Sequence, residues 1–302
     1  MLNNILPIFL TILFGNFLKK VKLIDEIFIS KANKLIFYIL LPLLLFYKIA
    51  KSDFNKTFDI KYILIMYFSF IILIILAIPI LKLLKTNKSD IGTFLMNSFR
   101  GNYAYVGLPV SYFSFGDKGL VIASIYMAFI VPVVNLLSVI VLSFSSEKSS
   151  SKKEVFYQIV FNPLAIGCIF GILFSLLKID IPIAIDRFLS INSSATLPLA
   201  LLSIGATINL QKLGNSFKLS LINTLFKLII LPVLGFIILF LTKTPISLHA
   251  KIMIILLAAP AATVNFVLAK EMGGNENLSA STIILSTILS FFSYLVYLTL
   301  LQ

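Results

Sequence analysis

Two stretches of the chain combine backbone-breaking and polar residues with almost entirely apolar surroundings. Residues 97–110 read NSFRGNYAYVGLPV and residues 258–269 read AAPAATVNFVLA, with prolines at Pro109 and Pro260. Lipid cannot satisfy the backbone groups that proline and glycine release, so such segments must line a cavity or be buried in protein. Two interrupted hydrophobic segments in corresponding places of two halves indicate the binding site of a transporter.

Arg100 is the strongest candidate for a ligand-binding residue in these stretches. It stands about ten residues into a predicted span, which places it ~15 Å along the helix axis. An arginine at that depth costs at least ~2.5 kcal/mol on insertion scales, so it should face a cavity or a partner. The planar guanidinium suits recognition of a carboxylate or phosphate. The alternative is an arginine that snorkels or is paired for structural reasons.

Three uncharged polar residues accompany the arginine. Asn102 and Asn265 lie on the two interrupted segments, and each amide can both donate and accept a hydrogen bond to a ligand. Tyr103 is a weaker candidate for the same role. The alternative is that these side chains hold helices together in the membrane.

The prolines predict where the helices break. Proline removes a backbone donor and clashes with the carbonyl four residues earlier, so we expect breaks at Gly107–Pro109 and at Pro260. The half-helices that begin there would present the positive ends of their dipoles to an anion where they cross. Ordinary proline kinks are the alternative.

Lys227 lies inside the apolar run LFKLIILP, and no acidic residue occurs deep in any predicted span to pair with it. We expect its charge to occupy the place of a coupling cation. The alternative is a buried lysine that donates to backbone carbonyls or water.

The composition places the chain in a membrane. Of 302 residues, 59% are hydrophobic and 12% charged, far from the average of a soluble domain. The net charge of +13 comes from lysines that mostly flank apolar runs, which indicates membrane topology and not nucleic-acid binding. One cysteine and one histidine form no recognisable metal site, and we expect no cofactor. The HExxH motif of zinc proteases and the GxxxxGK[ST] motif of ATPases are absent from the sequence, which argues against both enzyme classes.

Apolar runs predict ten spanning helices. Loops assigned to the inside hold more cations than those outside if both termini are extracytoplasmic, which predicts a multi-pass protein of the cell membrane in that orientation. The predicted spans cover residues 5–18, 34–50, 60–81, 92–115, 119–144, 156–177, 188–208, 217–242, 250–270 and 278–301.

The halves of the chain repeat one another. Leu41-Pro42-Leu43 recurs as Leu197-Pro198-Leu199, and Pro109 recurs as Pro260. The predicted domains are a five-helix repeat over 1–144, a short cytoplasmic linker over 145–154 and a second repeat over 155–302. Because each half holds an odd number of spans, the repeats should be inverted. Chance matches among prolines in apolar sequence are the alternative.

Several segments together resemble the auxin efflux carrier family, which includes plant PIN carriers and bacterial malonate-permease-like proteins. NYAYVGLP, with Asn102 seven residues before Pro109, is similar to the NxxxxGxP of the family's broken fourth helix. FVLAKE (266–271), NKLIFYILLPLLLFYKIA (33–50) and LPLALLSIGA (197–206) resemble its ninth, second and seventh helices.

The resemblance implies an all-α integral membrane fold of ten helices in two inverted five-helix repeats, like sodium/proton antiporters and bile-acid symporters. Helices 4 and 9 would be broken and crossed. Helices 1, 2, 6 and 7 would form a scaffold that dimerises, and the others a moving transport domain. It implies organic anions, usually carboxylates, as substrates. The long cytoplasmic loop of the plant carriers is missing, and Arg100 has no charged equivalent in the plant pattern.

The predicted function is therefore secondary or facilitative transport of small organic anions by elevator-type alternating access. The anion would be bound by Arg100, Asn102, Tyr103 and Asn265. Lys227 would take part in ion coupling. A sodium-coupled bile-acid-type symporter and a non-transporting membrane sensor are the alternatives.

Overall fold

The computed structural model describes residues 2–145, 162–208, 214 and 216–301, and these form α-helices joined by short turns, without β-strands. Most of the predicted linker, beyond Ser145, lies outside the described residues. The α-helices are α1 (Leu2–Lys20), α2 (Glu26–Leu35), α3 (Leu41–Ala50), α4 (Phe54–Thr57), α5 (Ile60–Leu83), α6 (Lys88–Phe99), α7 (Leu108–Ser145), α8 (Pro163–Leu176), α9 (Ile183–Thr207), α10 (Phe217–Leu225), α11 (Leu231–Leu241), α12 (Leu248–Leu257), α13 (Val264–Glu271) and α14 (Glu276–Leu300).

Seven helical segments within the described residues are long and apolar enough to cross a membrane. Two shorter apolar helices, α8 and α12, accompany them, and the first part of the predicted span 156–177 lies outside the described residues. The protein is thus a multi-pass membrane protein. The seven segments are Leu2–Lys20, Glu26–Ala50, Ile60–Leu83, Tyr103–Phe144, Ile183–Thr207, Phe217–Leu241 and Glu276–Leu300.

Three five-residue π-helical turns interrupt these segments, and each ends directly before a Leu-Pro pair. They cover Ile36–Leu40, Tyr103–Gly107 and Phe226–Ile230. Proline has no N–H to donate and crowds the preceding turn of an α-helix. A wider π turn shifts the hydrogen-bond register there, so the helix continues through the proline without a break.

In the part of the chain that the structure describes, four helices are followed, two residues after their last residue, by a lysine in the left-handed conformation, where glycine is usual. The following residue donates its N–H to the carbonyl five positions earlier at each end, as in a Schellman motif. These ends follow α1, α5, α8 and α11, and the lysines are Lys22 (φ 61°), Lys85 (φ 51°), Lys178 (φ 52°) and Lys243 (φ 51°).

The described residues group into two compact units. The first contains residues up to 59, 104–129 and 162–208. In it α1 packs on α9 and α3 packs on α8. The second contains residues 60–103, 130–145 and those from 214 onward, and it holds residues 97–103 of the first interrupted stretch and all of the second, residues 258–269.

Glycine allows the helix pairs of the first unit to approach backbone to backbone. A Cβ added at Gly205 would lie 1.7 Å from the Ile12 carbonyl oxygen, and one at Gly15 would lie 2.1 Å from that of Leu202. Gly167 and Gly171 allow the same close approach of α8 to α3 within this chain. This close packing is the usual use of small residues between membrane helices.

Gly205→Ala is expected to destabilise the first unit by about 1–3 kcal/mol, because α1 and α9 must move apart to admit a methyl group. Gly214→Ala is the matched control, since no atom of the described residues lies within 4 Å of a Cβ at that position. Thermal unfolding of the purified protein measures both variants. Equal melting temperatures for Gly205→Ala and the parent would contradict the packing.

Candidate functional site

The first broken segment lies earlier than the prolines predict. Helix α6 ends at Phe99, and Arg100 has an extended backbone with φ −78° and ψ 100°. Helical structure resumes at Tyr103 as a π turn and continues through Pro109. The expected break at Gly107–Pro109 is therefore wrong in position, because the π turn accommodates the proline and the helix is interrupted at residues 100–102.

The second broken segment separates α12, which ends at Leu257, from α13, which begins at Val264. Pro260 lies inside this segment. Here no π turn precedes the proline, and the chain leaves the helix for six residues. This break falls where the sequence places it.

The two broken segments pair with each other in the second unit. Gly101 and Ala261 form an isolated antiparallel bridge. The Asn102 N–H donates to the Pro260 carbonyl at 2.7 Å, and the Ala262 N–H donates to the Arg100 carbonyl at 3.1 Å. Each break thus satisfies backbone groups of the other, as membrane burial requires. Gly107 and Pro109 take no part in this pairing.

The Arg100 side chain is half-buried beside the crossing. Its Nη1 donates to the Ser138 hydroxyl at 3.1 Å. No carboxylate within the described residues forms an ion pair with it. A guanidinium has five N–H donors, and a neutral hydroxyl compensates little of its charge. The side chain therefore retains capacity to bind an anion.

Asn265 is fully buried in the first turn of α13. Two hydrogen bonds fix the orientation of its side-chain amide. Its Nδ2 donates to the Asn97 Oδ1 at 2.9 Å and to the Arg100 carbonyl at 3.3 Å. A backbone carbonyl only accepts, so the amide nitrogen must face it. Within the described residues, the Asn265 Oδ1 and the Asn97 Nδ2 have no hydrogen-bond partner. A buried acceptor and a buried donor remain for a ligand or a water.

Asn102 and Tyr103 are both buried in the first broken segment. Asn102 joins the crossing through its backbone N–H. The Tyr103 hydroxyl donates to the Phe99 carbonyl at 3.0 Å and so caps the end of α6. The contacts of Tyr103 thus stabilise the break itself.

Lys227 is fully buried in the π turn that precedes α11. Its Nζ donates to the Leu257 carbonyl at 2.9 Å and lies 5.9 Å from the centre of the Tyr103 ring. The Leu257 carbonyl is the last of α12, where the helix dipole is negative. The lysine thus places a positive group at the end of one half-helix.

The start of α13 has the opposite polarity. Thr263 precedes the helix, and its side chain caps no backbone amide. The first N–H groups of a helix lack partners within the helix and carry partial positive charge. In α13 the Asn265 N–H donates to the Ala262 carbonyl at 3.0 Å and the Phe266 N–H to the Thr263 carbonyl at 3.4 Å, so this helix start favours an anion mainly through its dipole.

A buried polar network supports the site, and sequence reasoning assigned it no role. The Asn223 Nδ2 donates to the Ser98 hydroxyl at 2.6 Å and to the Phe94 carbonyl at 2.9 Å. Ser279 donates to the Asn97 Oδ1 at 3.3 Å. Asparagine inside an apolar run could have indicated this network, because an amide buried among helices requires hydrogen-bond partners.

A chain of spanning helices with two paired, interrupted segments is an integral membrane transporter in architecture. The chain belongs to the membrane transport protein family, the auxin efflux carrier-like family, whose pattern matches residues 1–298.

Two archaeal proteins are similar to this chain over nearly their whole lengths. An uncharacterized transporter of Methanothermobacter thermautotrophicus is 24% identical over 306 residues, which cover 96% of this chain and 95% of the relative. An uncharacterized transporter of Methanocaldococcus jannaschii is 26% identical over 291 residues, which cover 95% and 94%. The similarity therefore extends over both broken segments.

Proposed function

We propose that this transporter carries small organic anions, with a carboxylate as the recognised group. The observation that supports this most is Arg100, a half-buried guanidinium without a carboxylate partner among the described residues. An uncompensated charge near the crossing is costly unless a ligand offsets the cost. Two parallel N–H···O bonds to a carboxylate would do so with defined geometry.

The neighbouring groups complete the proposed site. The first amides of α13 add partial positive charge, and the Asn265 side chain adds a buried amide. Asn102 lies next to Arg100 in the same segment, and Tyr103 holds the segment in place through Phe99. Both N–H groups of the Asn265 amide are already donated and its free Oδ1 only accepts, so the side-chain amide donor that remains for an anion is the Asn97 Nδ2.

Lys227 supports transport that does not need a bound metal cation. Its ammonium contacts the end of α12 through the Leu257 carbonyl. A coupling ion would be attracted to the same partially negative helix end. In our proposal the side chain occupies that place permanently, so coupling to sodium is absent or weak.

We further propose ten spans in two inverted repeats, with both termini on the extracytoplasmic side of the cell membrane. Matching features support the repeat: left-handed lysines follow both α1 and α8, and both α5 and α11. The linker over 145–154 would join the two repeats on the cytoplasmic side.

Transport would follow an elevator scheme. The division of the chain into two compact units supports it, since one unit holds the non-helical residues of both breaks, 100–102 and 258–263, and the other holds the glycine-packed helices. In this proposal the second unit carries the anion, and the first is anchored, as a dimer, in the bilayer. No catalytic role is proposed for any residue.

Uptake by proteoliposomes tests the proposed substrate class. We expect the purified protein to transport at least one radiolabelled mono- or dicarboxylate from a panel, and not the corresponding neutral amide. Liposomes without protein are the control. Flux of amides equal to that of the acids would contradict recognition of a carboxylate, and no flux of any panel member would favour a sensor.

A further inference from the structure

The first unit contains a cavity of about 240 Å³ between α1, α3, α9 and the start of α7. Its walls are mainly apolar, with Leu44, Leu197 and Leu201 among them. Lys48 and Ser193 are among its polar lining residues. An apolar cavity with a few polar groups is the usual form of a small-molecule site.

Lys48, the positively charged residue that lines this cavity, is paired with an exposed carboxylate. Lys48 forms an ion pair with Asp117, whose side chain is 68% exposed while that of Lys48 is 23% exposed. Asp117 follows Gly116, which has a φ of 63° at the turn inside α7. Because Asp117 is solvated, it can release the lysine at little cost to another anion.

Ser193 provides a second polar group. It is 4% exposed, and its hydroxyl has no hydrogen-bond partner within the described residues. Most buried serines in these helices donate to a carbonyl three or four residues earlier, as Ser124 does to Leu120 at 2.7 Å. A buried hydroxyl that forgoes this bond is available to a ligand in the cavity.

We propose that this cavity binds a small amphipathic carboxylate, which displaces Asp117 from Lys48 and accepts a hydrogen bond from Ser193. The apolar part of the molecule lies against Leu44, Leu197 and Leu201. The site is additional to Arg100 and rests on the proposed function, since it takes the same class of anion. Asp117 acts as an internal competitor that keeps the ammonium paired when no ligand is bound.

The chain contains no tryptophan, so one introduced at the cavity wall reports on the cavity alone. Phe113 lines the cavity and is 42% exposed, and Phe113→Trp is the reporter variant. Its fluorescence is recorded in detergent during titration with phenylacetate, with neutral phenylacetamide in parallel. Thermal stabilisation of the unmodified protein by phenylacetate provides a second measurement if the tryptophan impairs folding.

We expect a saturable response to phenylacetate and none to phenylacetamide. Lys48→Gln should weaken binding by about tenfold or more, and Ser193→Ala by about threefold to tenfold. Asp117→Asn should tighten it by about two- to fivefold, since the competing carboxylate is gone. Lys51→Gln is the matched control, because Lys51 pairs with Asp186 at 2.7 Å and does not line the cavity.

Unchanged affinity in Lys48→Gln, or equal binding of acid and amide, would overturn the proposal. So would a response to phosphatidylglycerol with none to phenylacetate, which would assign the cavity to lipid. Binding is measured without transport, so this result is independent of uptake through Arg100. A protein that transports carboxylates but gives no response here refutes only the second site.

Discussion

Arg100→Gln is expected to reduce carboxylate uptake by about 100-fold, the effect of losing a charge-assisted, bidentate interaction in a site shielded from water. The backbone carbonyl at position 100 still accepts from the Ala262 N–H in the variant, so the local packing of the second unit should persist. The loss should appear as weaker binding and slower flux together, because the guanidinium holds the anion throughout its passage. Initial rates over a range of substrate concentrations measure both.

Arg187→Gln is the matched control for this experiment. Arg187 is exposed on α9 in the first unit, and removal of its charge should leave uptake within about twofold of the parent. Size-exclusion profiles of the two variants establish equal folding. If Arg100→Gln transports at the rate of Arg187→Gln, Arg100 does not bind the substrate.

Lys227→Met is expected to lower uptake by about tenfold and to change its response to sodium. Methionine keeps the length of the side chain but leaves the Leu257 carbonyl without its Lys227 donor, which costs about 1–3 kcal/mol. It also removes the positive group from the end of α12. A sodium ion should then be able to occupy the space, so external sodium should raise the residual uptake.

Uptake of the parent should not depend on replacement of potassium by sodium. Lys218→Met provides the comparison, since Lys218 is exposed near the start of α10 in the same segment. A Lys227→Met variant with parental rates and an unchanged response to sodium and to pH would remove the lysine from any role in coupling.

The sequence sufficed to locate the crossing to within a few residues. Arginine, glycine and asparagine inside an apolar run are costly unless buried in protein, so they marked the first broken segment. Pro260 marked the second. Pro109 led to the wrong position for the first break, because its sequence context is the same whether a helix breaks or widens into a π turn. Leu-Pro follows a π turn at Pro42 and Pro232 as well, but Leu197-Pro198 lies inside a continuous α-helix, so the dipeptide alone does not predict the turn.

Other parts of the site depend on contacts that spacing along the chain does not contain. Ser138 is 38 residues from Arg100, and Asn223 is more than 100 residues from Ser98. Serine is frequent in membrane helices and usually bonds to its own helix, so its type alone carries little information. The cavity near Lys48 is formed by four helices and has no sequence signature.

A structure determined with a transported carboxylate bound tests the proposed site most directly. We predict carboxylate oxygens about 3 Å from the Arg100 guanidinium, beside the first amides of α13 and the paired residues Gly101 and Ala261. A carboxylate bound elsewhere, with Arg100 still in contact only with Ser138, would contradict the assignment. A molecule found only in the cavity near Lys48 would contradict it equally.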